Sequence, residues 1–252
     1  MAGTTISGRL TWVLAEIQEI IVETPRTKSL VLSVPGWSGY VAGQHVDIRL
    51  TAEDGYQVER SYSVASAPAP GSDRVELTVE RLNDGEVSPY LTEELRPGDR
   101  LELRGPIGGY FTWDIPDGGP LLLVGGGSGV VPLMAMIRHR IAKASQIPTR
   151  LLLSSRDGDD IIYRDELARL VAADDTLQVS HTLTRAQPAG WTGFRRRIDA
   201  AMLAEVGWPP ADHPRIFVCG PTQLVETVAS TFVTLGHPPA RVKTERFGPT
   251  GG

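Results

Sequence analysis

The chain has a single cysteine, few aromatic residues (6%) and no strong excess of either charge, with a formal net charge of −5 at pH 7. Each shortage excludes something. Cys219 on its own cannot form a disulfide within the chain, nor hold an iron–sulfur cluster, which takes several thiolates. The five histidines (His45, His139, His181, His213, His237) are scattered without the spacing of a zinc site. A small negative net charge is not a nucleic-acid footprint, so no nucleic acid is expected. No apolar run approaches the ~18 residues of a membrane span, and the N-terminus lacks a basic-then-apolar leader. These absences lead to the expectation of a cytoplasmic protein with no membrane partner. What remains is ordinary globular material, 41% hydrophobic and 22% charged over 252 residues. That length suffices for two modest domains.

The pattern changes once along the chain. Period-2 alternation and β-branched residues predict strands at Thr11–Glu23, Lys28–Val34, His45–Leu50, Gln57–Ala65, Arg74–Leu82 and Arg100–Arg104. Turn signals separate them at Pro35-Gly36, Asp54-Gly55 and Pro97-Gly98-Asp99. Short strands in regular succession predict an antiparallel barrel. Strands and helices alternate after a Pro/Gly/Asp-rich stretch. The predicted strands are Leu121–Val124, Thr149–Ser154, Leu177–Leu183, Arg215–Val218 and Arg241–Phe247. The helices between them are Val130–Ala144, Tyr163–Ala172, Ile198–Val206 and Thr222–Leu235. Repeated βα units predict a Rossmann-like parallel sheet with helices on both faces and ligands at the strand C-terminal ends. The expected division is a barrel over 1–114, a linker over 115–119 and an α/β domain over 120–252, ending in a glycine-rich tail.

Gly125-Gly126-Gly127-Ser128-Gly129 joins the first strand of that second part to its first helix. Glycines permit close backbone approach, and free N–H groups at a helix start attract a phosphate. A tight strand-to-helix turn would look the same. In the barrel, Arg60-Ser61-Tyr62-Ser63 lies on a strand, so Arg60 and Tyr62 share one face while Ser61 and Ser63 share the other. For one ligand to meet Arg60, Tyr62 and Ser63 together, the strand must end or bulge near Ser63. Ser88 precedes Pro89–Leu95 with the look of an N-cap followed by proline at the first helical position. Arg195, Arg196 and Arg197 form the densest basic cluster, read by default as a solvated run.

Taken together and in order, these motifs resemble the ferredoxin–NADP reductase superfamily over about residues 12–248. Arg60, Tyr62 and Ser63 match its flavin signature, Arg, any residue, Tyr, then Ser or Thr. The resemblance implies FAD, with Arg60 on its phosphates, Tyr62 against the ring and Ser63 near N5; FMN would use overlapping residues. It implies that Gly85, Val87 and Ser88 take the flavin pyrophosphate; Gly105-Pro106-Ile107-Gly108 matches the family's Gly-Pro-x-Gly segment but is read mainly as a turn between strands. Gly126, Gly127, Ser128 and Gly129 would hold the pyridine nucleotide's pyrophosphate. Ser155 and Arg156, with Arg164 in support, suit the 2′-phosphate of NADPH, although the neighbouring Asp157, Asp159 and Asp160 leave NADH open. Thr184, in a stretch running on to Gly190-Trp191-Thr192-Gly193, is the candidate beside the nicotinamide. Cys219-Gly220-Pro221 matches the family's Cys-Gly-Pro, with Cys219 a positioning residue close to nicotinamide and flavin. Glu245 and Phe247 match the carboxylate and aromatic of the family's last strand, with Tyr62, Ser63, Cys219 and Glu245 as the catalytic set.

The activity implied is an FAD-dependent NAD(P)H reductase. Hydride would pass from NADPH to flavin N5, and single electrons would pass to a separate acceptor such as a ferredoxin, a haem protein or a molybdenum protein. A monomer is expected. Two other readings stand beside this one: a stand-alone flavin or quinone reductase, and a non-catalytic nucleotide-binding subunit.

Overall fold

The computed structural model describes residues 10–37 and 39–248, so the tail at 249–252 lies outside the described residues. The first half contributes β1 (Val13–Thr24), β2 (Thr27–Ser33), β3 (His45–Thr51), β4 (Gln57–Ser63), β5 (Arg74–Glu80) and β6 (Arg100–Ile107). They form one antiparallel sheet in the order β4-β3-β6-β1-β2-β5. Val64, one residue past β4, bridges Leu77 of β5 and joins the two edge strands. That bridge closes the expected barrel. Alternation along β5 turns Val75, Leu77 and Val79 into the barrel core with Leu30, Leu32, Val46 and Ile48. Glu76, Thr78 and Glu80 therefore face outward, toward the second half of the chain.

That second half contributes β7 (Leu121–Gly126), β8 (Thr149–Ser155), β9 (Leu177–Leu183), β10 (Arg215–Pro221) and β11 (Val242–Phe247). All pair in parallel, in the order β11-β10-β7-β8-β9. The first strand sits at the centre and is buried throughout, as its unbroken apolar run requires. The strand order reverses between β7 and β10, and such a switch point opens a crevice at the strand C-terminal ends. Helices α1 (Val130–Ala142) and α2 (Arg164–Ala173) cover one face; α3 (Ala200–Val206) and α4 (Thr222–Thr234) cover the other. Pro132 is tolerated in α1 because it falls in the first turn.

Helix α1 is buried continuously from Val130 to Ile137, which a helix on an exposed sheet face would not be. The barrel covers its outer side. Ala42, Ala65, Phe111 and Trp113 from the first half join α1 and the parallel sheet in one apolar cluster. Phe111 packs edge-on against Phe217 of β10 with ring centroids 5.3 Å apart. The connection between the sheets is held as well. Ile115–Asp117 forms a 3₁₀ turn capped by Asp114, whose Oδ1 lies 2.7 Å from His139 Nε2 on α1.

Three local expectations are corrected. Gly105, Pro106 and Ile107 are not a turn but the last residues of β6, with Ile107 paired to His45. Pro89–Leu95 is not an α-helix but a π-helical turn at Tyr90–Glu94, in which Leu95 N–H donates to Tyr90 O at 3.3 Å. Ser88 does not cap it, because its Oγ accepts the N–H of Leu82 at 3.0 Å and closes the preceding loop. The third helix starts at Ala200 rather than Ile198. Asp199 is the stronger cap, its Oδ1 accepting Met202 N–H at 2.8 Å.

Candidate active site

Where the barrel meets the C-terminal ends of β10 and β11 lies a cavity of about 330 Å³, within the range of small-molecule sites. Arg60, Tyr62 and Ser63 of β4 line it together. Register explains how. Arg60 and Tyr62 lie opposite the inward-facing Ile48 and Val46, while Ser61 lies opposite Asp47 and donates to it at 2.7 Å. The strand then ends at Ser63 as Val64 crosses to β5, so Ser63 turns to the site. Its Oγ donates to Glu245 Oε1 at 3.3 Å. The face conflict seen in the sequence is resolved by that strand end.

The parallel sheet brings the other wall. Cys219 of β10 and Glu245 of β11 are register partners, and Cys219 and Phe247 line the cavity with Ser128 of the glycine turn. Burial pushes the Cys219 thiol well up, aided by the Glu245 charge, so it stays protonated and is no thiolate nucleophile. Burial likewise raises the Glu245 carboxyl, against the lowering effect of the Ser63 hydroxyl. Tyr62 is raised by burial, so its ring presents a neutral face. Gly85, Val87 and Ser88 also line the cavity. A Cβ at Gly85 would meet Ser88 Oγ at 2.9 Å, so the loop can close only around glycine. Arg60 reaches this loop too, its guanidinium 3.1 Å from Glu86 Oε2.

A second groove adjoins the first, lined by Gly126, Gly127, Ser155, Arg156, Thr184 and Pro221. Glu80 and Phe247 line both, and so stand between them. The glycine turn is compact because Gly129 passes Cys219 so closely that a Cβ would lie 2.2 Å from the Cys219 carbonyl oxygen. Gly220 passes the backbone of Gly126 less tightly, a Cβ there lying 3.2 Å from Gly126 N. Ser155 Oγ is buried in this groove without a hydrogen-bond partner, a donor positioned for a ligand.

Not every candidate assembles here. Thr184 stands beside Ser155, its Oγ1 donating to Ser155 O at 3.3 Å on the edge strand β9. Two strands separate it from Cys219, so it belongs with the far end of the groove rather than with a nicotinamide beside Cys219. Arg164 pairs with Asp159 at 3.8 Å and lines a different cavity, away from Arg156. Arg195 donates to Trp191 O and Arg196 to Asp199, which leaves Arg197 alone of that cluster near the groove rim. Sequence reasoning missed Thr78, Glu80 and Glu86, although alternation along β5 already turned Thr78 and Glu80 outward.

Residues 14–112 match the family described as oxidoreductase FAD-binding domain. Residues 123–230 match the oxidoreductase NAD-binding domain. A protein of Sorangium cellulosum named ferredoxin–NADP reductase B is 37% identical, the match covering 82% of this chain and 85% of that protein. The chain belongs to the ferredoxin–NADP reductase superfamily. It is a flavin-dependent NAD(P)H oxidoreductase. A glycine betaine monooxygenase reductase subunit of Chromohalobacter salexigens is 33% identical over 92% of this chain, which spans 63% of that protein. The FAD/NAD-binding domain of a nitric oxide dioxygenase from Vibrio cholerae shares the fold, with TM-score 0.83 at 24% identity, covering 94% of this chain and 99% of that one. The donor set fits a flavin: a guanidinium at the loop, a phenol ring and hydroxyls around one cavity, with the half-buried Glu245 carboxyl held behind Ser63. Among the described residues no helix is long and apolar enough to cross a membrane.

Proposed function

We propose that this chain draws electrons from NADPH and passes them singly to a separate small redox protein of the ferredoxin, haem or molybdenum class. The observation that carries this reading is the adjacency of the two cavities, with Phe247 and Glu80 shared between them. Bound flavin supplies the chemistry, taking up two electrons together from the nicotinamide and releasing them one at a time. The residues supply position and charge. Arg60 exchanges its exposed partner Glu86 for phosphate oxygens, which a guanidinium holds bidentately. Tyr62 covers the flat ring. Ser63 and Glu245 offer a hydroxyl and a carboxyl that can hold or move a proton at the inner edge of the cavity. Cys219 and the glycine turn would hold the nucleotide and the flavin side by side, positioning being the main contribution to rate that these residues can make.

A lone buried thiol accords with a cytoplasmic setting. The names carried by the two curated relatives, a ferredoxin–NADP reductase and a monooxygenase reductase subunit, support a separate protein acceptor. Turnover should saturate with a small redox protein at concentrations where free flavin turns over poorly; the reverse would favour a flavin or quinone reductase.

The preference for NADPH rests on Ser155 and Arg156 at the tip of β8, where Arg185 N–H also donates to Arg156 O at 2.8 Å. Loss of a charge-assisted contact costs about 1.5–3 kcal/mol. Arg156→Ala should therefore raise KM for NADPH by roughly tenfold or more and leave KM for NADH nearly unchanged. Equal changes for both nucleotides would show that Arg156 does not read the 2′-phosphate.

A further inference from the structure

A line of buried hydroxyls leaves the first cavity where the reductase reading has assigned no role. Thr78, which lines that cavity and is 4% exposed, has its Oγ1 2.8 Å from Ser29 Oγ. Ser29, fully buried on β2, donates to Glu23 Oε1 at 2.7 Å. Glu23 lines a second, charged cavity of about 510 Å³ on the other side of these hydroxyls, with Glu76, Arg138, Tyr163 and Glu166. Tyr163, fully buried, donates its hydroxyl to Thr78 Oγ1.

We propose that Thr78, Ser29 and Glu23 form a proton path joining the flavin cavity to this outer cavity. The proposal rests on the flavin reading above and adds a route to it. The hydrogen-bond polarity sets the direction. A carboxylate only accepts, so Ser29 spends its proton on Glu23 and must accept from Thr78. Thr78 thus donates to Ser29 and accepts from Tyr163, and the path takes its remaining lone pair as the port to the cavity that Thr78 lines. Both O–H bonds of the path point at Glu23.

A proton that a reduced flavin bound there would release from an N–H bond would form an O–H bond at Thr78 while Thr78's own proton moves to Ser29 and Ser29's proton moves to Glu23. Three bonds to hydrogen form and three break, and no electrons travel along the path. Rotation of the two hydroxyls resets it. The phenol of Tyr163 is pushed up by burial and does not ionise, so it orients Thr78 rather than conducting.

Packing alone does not account for these residues. Valine and alanine would fill the positions of Thr78 and Ser29 without burying polar groups that must then be satisfied. The groups facing Glu23 suit an acceptor. Burial raises its carboxyl, with Glu76 of β5 and Glu166 of α2 adding to the effect, while the Ser29 hydrogen bond and Arg138 of α1 oppose it.

The test is rapid-scan infrared spectroscopy of the FAD-loaded, reduced protein during oxidation by ferricyanide. Flavin absorbance first confirms that each variant is loaded; an unloaded wild type would overturn the flavin reading itself, not the path. A transient carboxylic-acid band that shifts in D2O is expected in the wild type and is lost in Glu23→Gln. In Ser29→Ala the relay to Glu23 is cut, so the band should weaken or appear at least roughly tenfold later, protons leaving by Ser63 and Glu245 instead. Ser29→Thr should restore it. No transient band in the loaded wild type, an unchanged band in Glu23→Gln, or unchanged timing in Ser29→Ala would each overturn the path.

Discussion

Ser63 and Glu245 are 182 residues apart in the chain and within hydrogen-bonding distance at 3.3 Å. Each comes from a different sheet, Ser63 placed by the end of β4 and Glu245 by its register beside Cys219 in β11. Burial is the largest influence on Glu245, raising its carboxyl above the ordinary range. The sign for stability follows from linkage. A carboxyl whose folded pKa is raised binds its proton more tightly when folded, so stability is full below the unfolded value and is lost as pH rises through the folded one. Glu245→Gln, which cannot ionise, should flatten that loss, seen as thermal stability that falls less than the wild type's between acidic and neutral pH. An identical pH dependence would mean that Glu245 is solvated as an ordinary surface carboxylate. Arg60 behaves differently. Its salt bridge to Glu86 is exposed on both sides and contributes little to stability. Arg60→Ala should leave the melting temperature nearly unchanged but weaken flavin retention by roughly tenfold to a hundredfold, measured by flavin remaining after dialysis. Full retention would remove Arg60 from the phosphate site.

At the level of elements, the glycine turn after β7 needs the left-handed φ of +54° at Gly127, whereas Gly129 is fixed by a contact. Gly129 has φ −62°, which any residue can adopt, yet its missing Cβ leaves room for the Cys219 carbonyl. Backbone cannot swing aside as a side chain can. Gly129→Ala should cost about 1–3 kcal/mol, read as a lowered melting temperature, and should weaken NAD(P)H binding by displacing Cys219. A variant as stable and as tight-binding as the wild type would show that β7 and β10 approach less closely. This turn was legible in the sequence because glycine identity and strand–helix periodicity speak locally. The strands were legible for the same reason, although β6 and β10 run three residues further than expected and β4 and β5 stop two residues short. Ser88 was misread because the competing donor, Leu82 N–H, lies outside the helix signal. Arg164 and Thr184 were misplaced because a sequence gives the strand a residue follows, but not which cavity its side chain enters. The ion pair with Asp159 and the edge position of β9 decided those two.

Across the whole molecule, the decisive feature is a helix shared by two sheets. α1 is buried on one side by the parallel sheet and on the other by Ala42, Ala65, Phe111 and Trp113. Arg138 on α1 extends the junction with polar contacts, 2.6 Å from Glu76 of the barrel and 2.6 Å from Glu166 of α2. Continuous apolarity from Val130 to Met136 already required burial on every side, but the sequence did not reveal what would cover the outer side. Nor did it reveal the Thr78–Tyr163 hydrogen bond, whose partners are 85 residues apart and meet only across this junction. The shared helix fixes the two cavities against each other, and the function depends on that. It is tested most directly by an anaerobic absorbance titration of the FAD-loaded protein with stoichiometric NADPH and, separately, NADH. The account predicts that the flavin bands bleach with both and faster with NADPH. Bands that neither nucleotide bleaches would contradict it, because the two cavities would then not bring nicotinamide and flavin together.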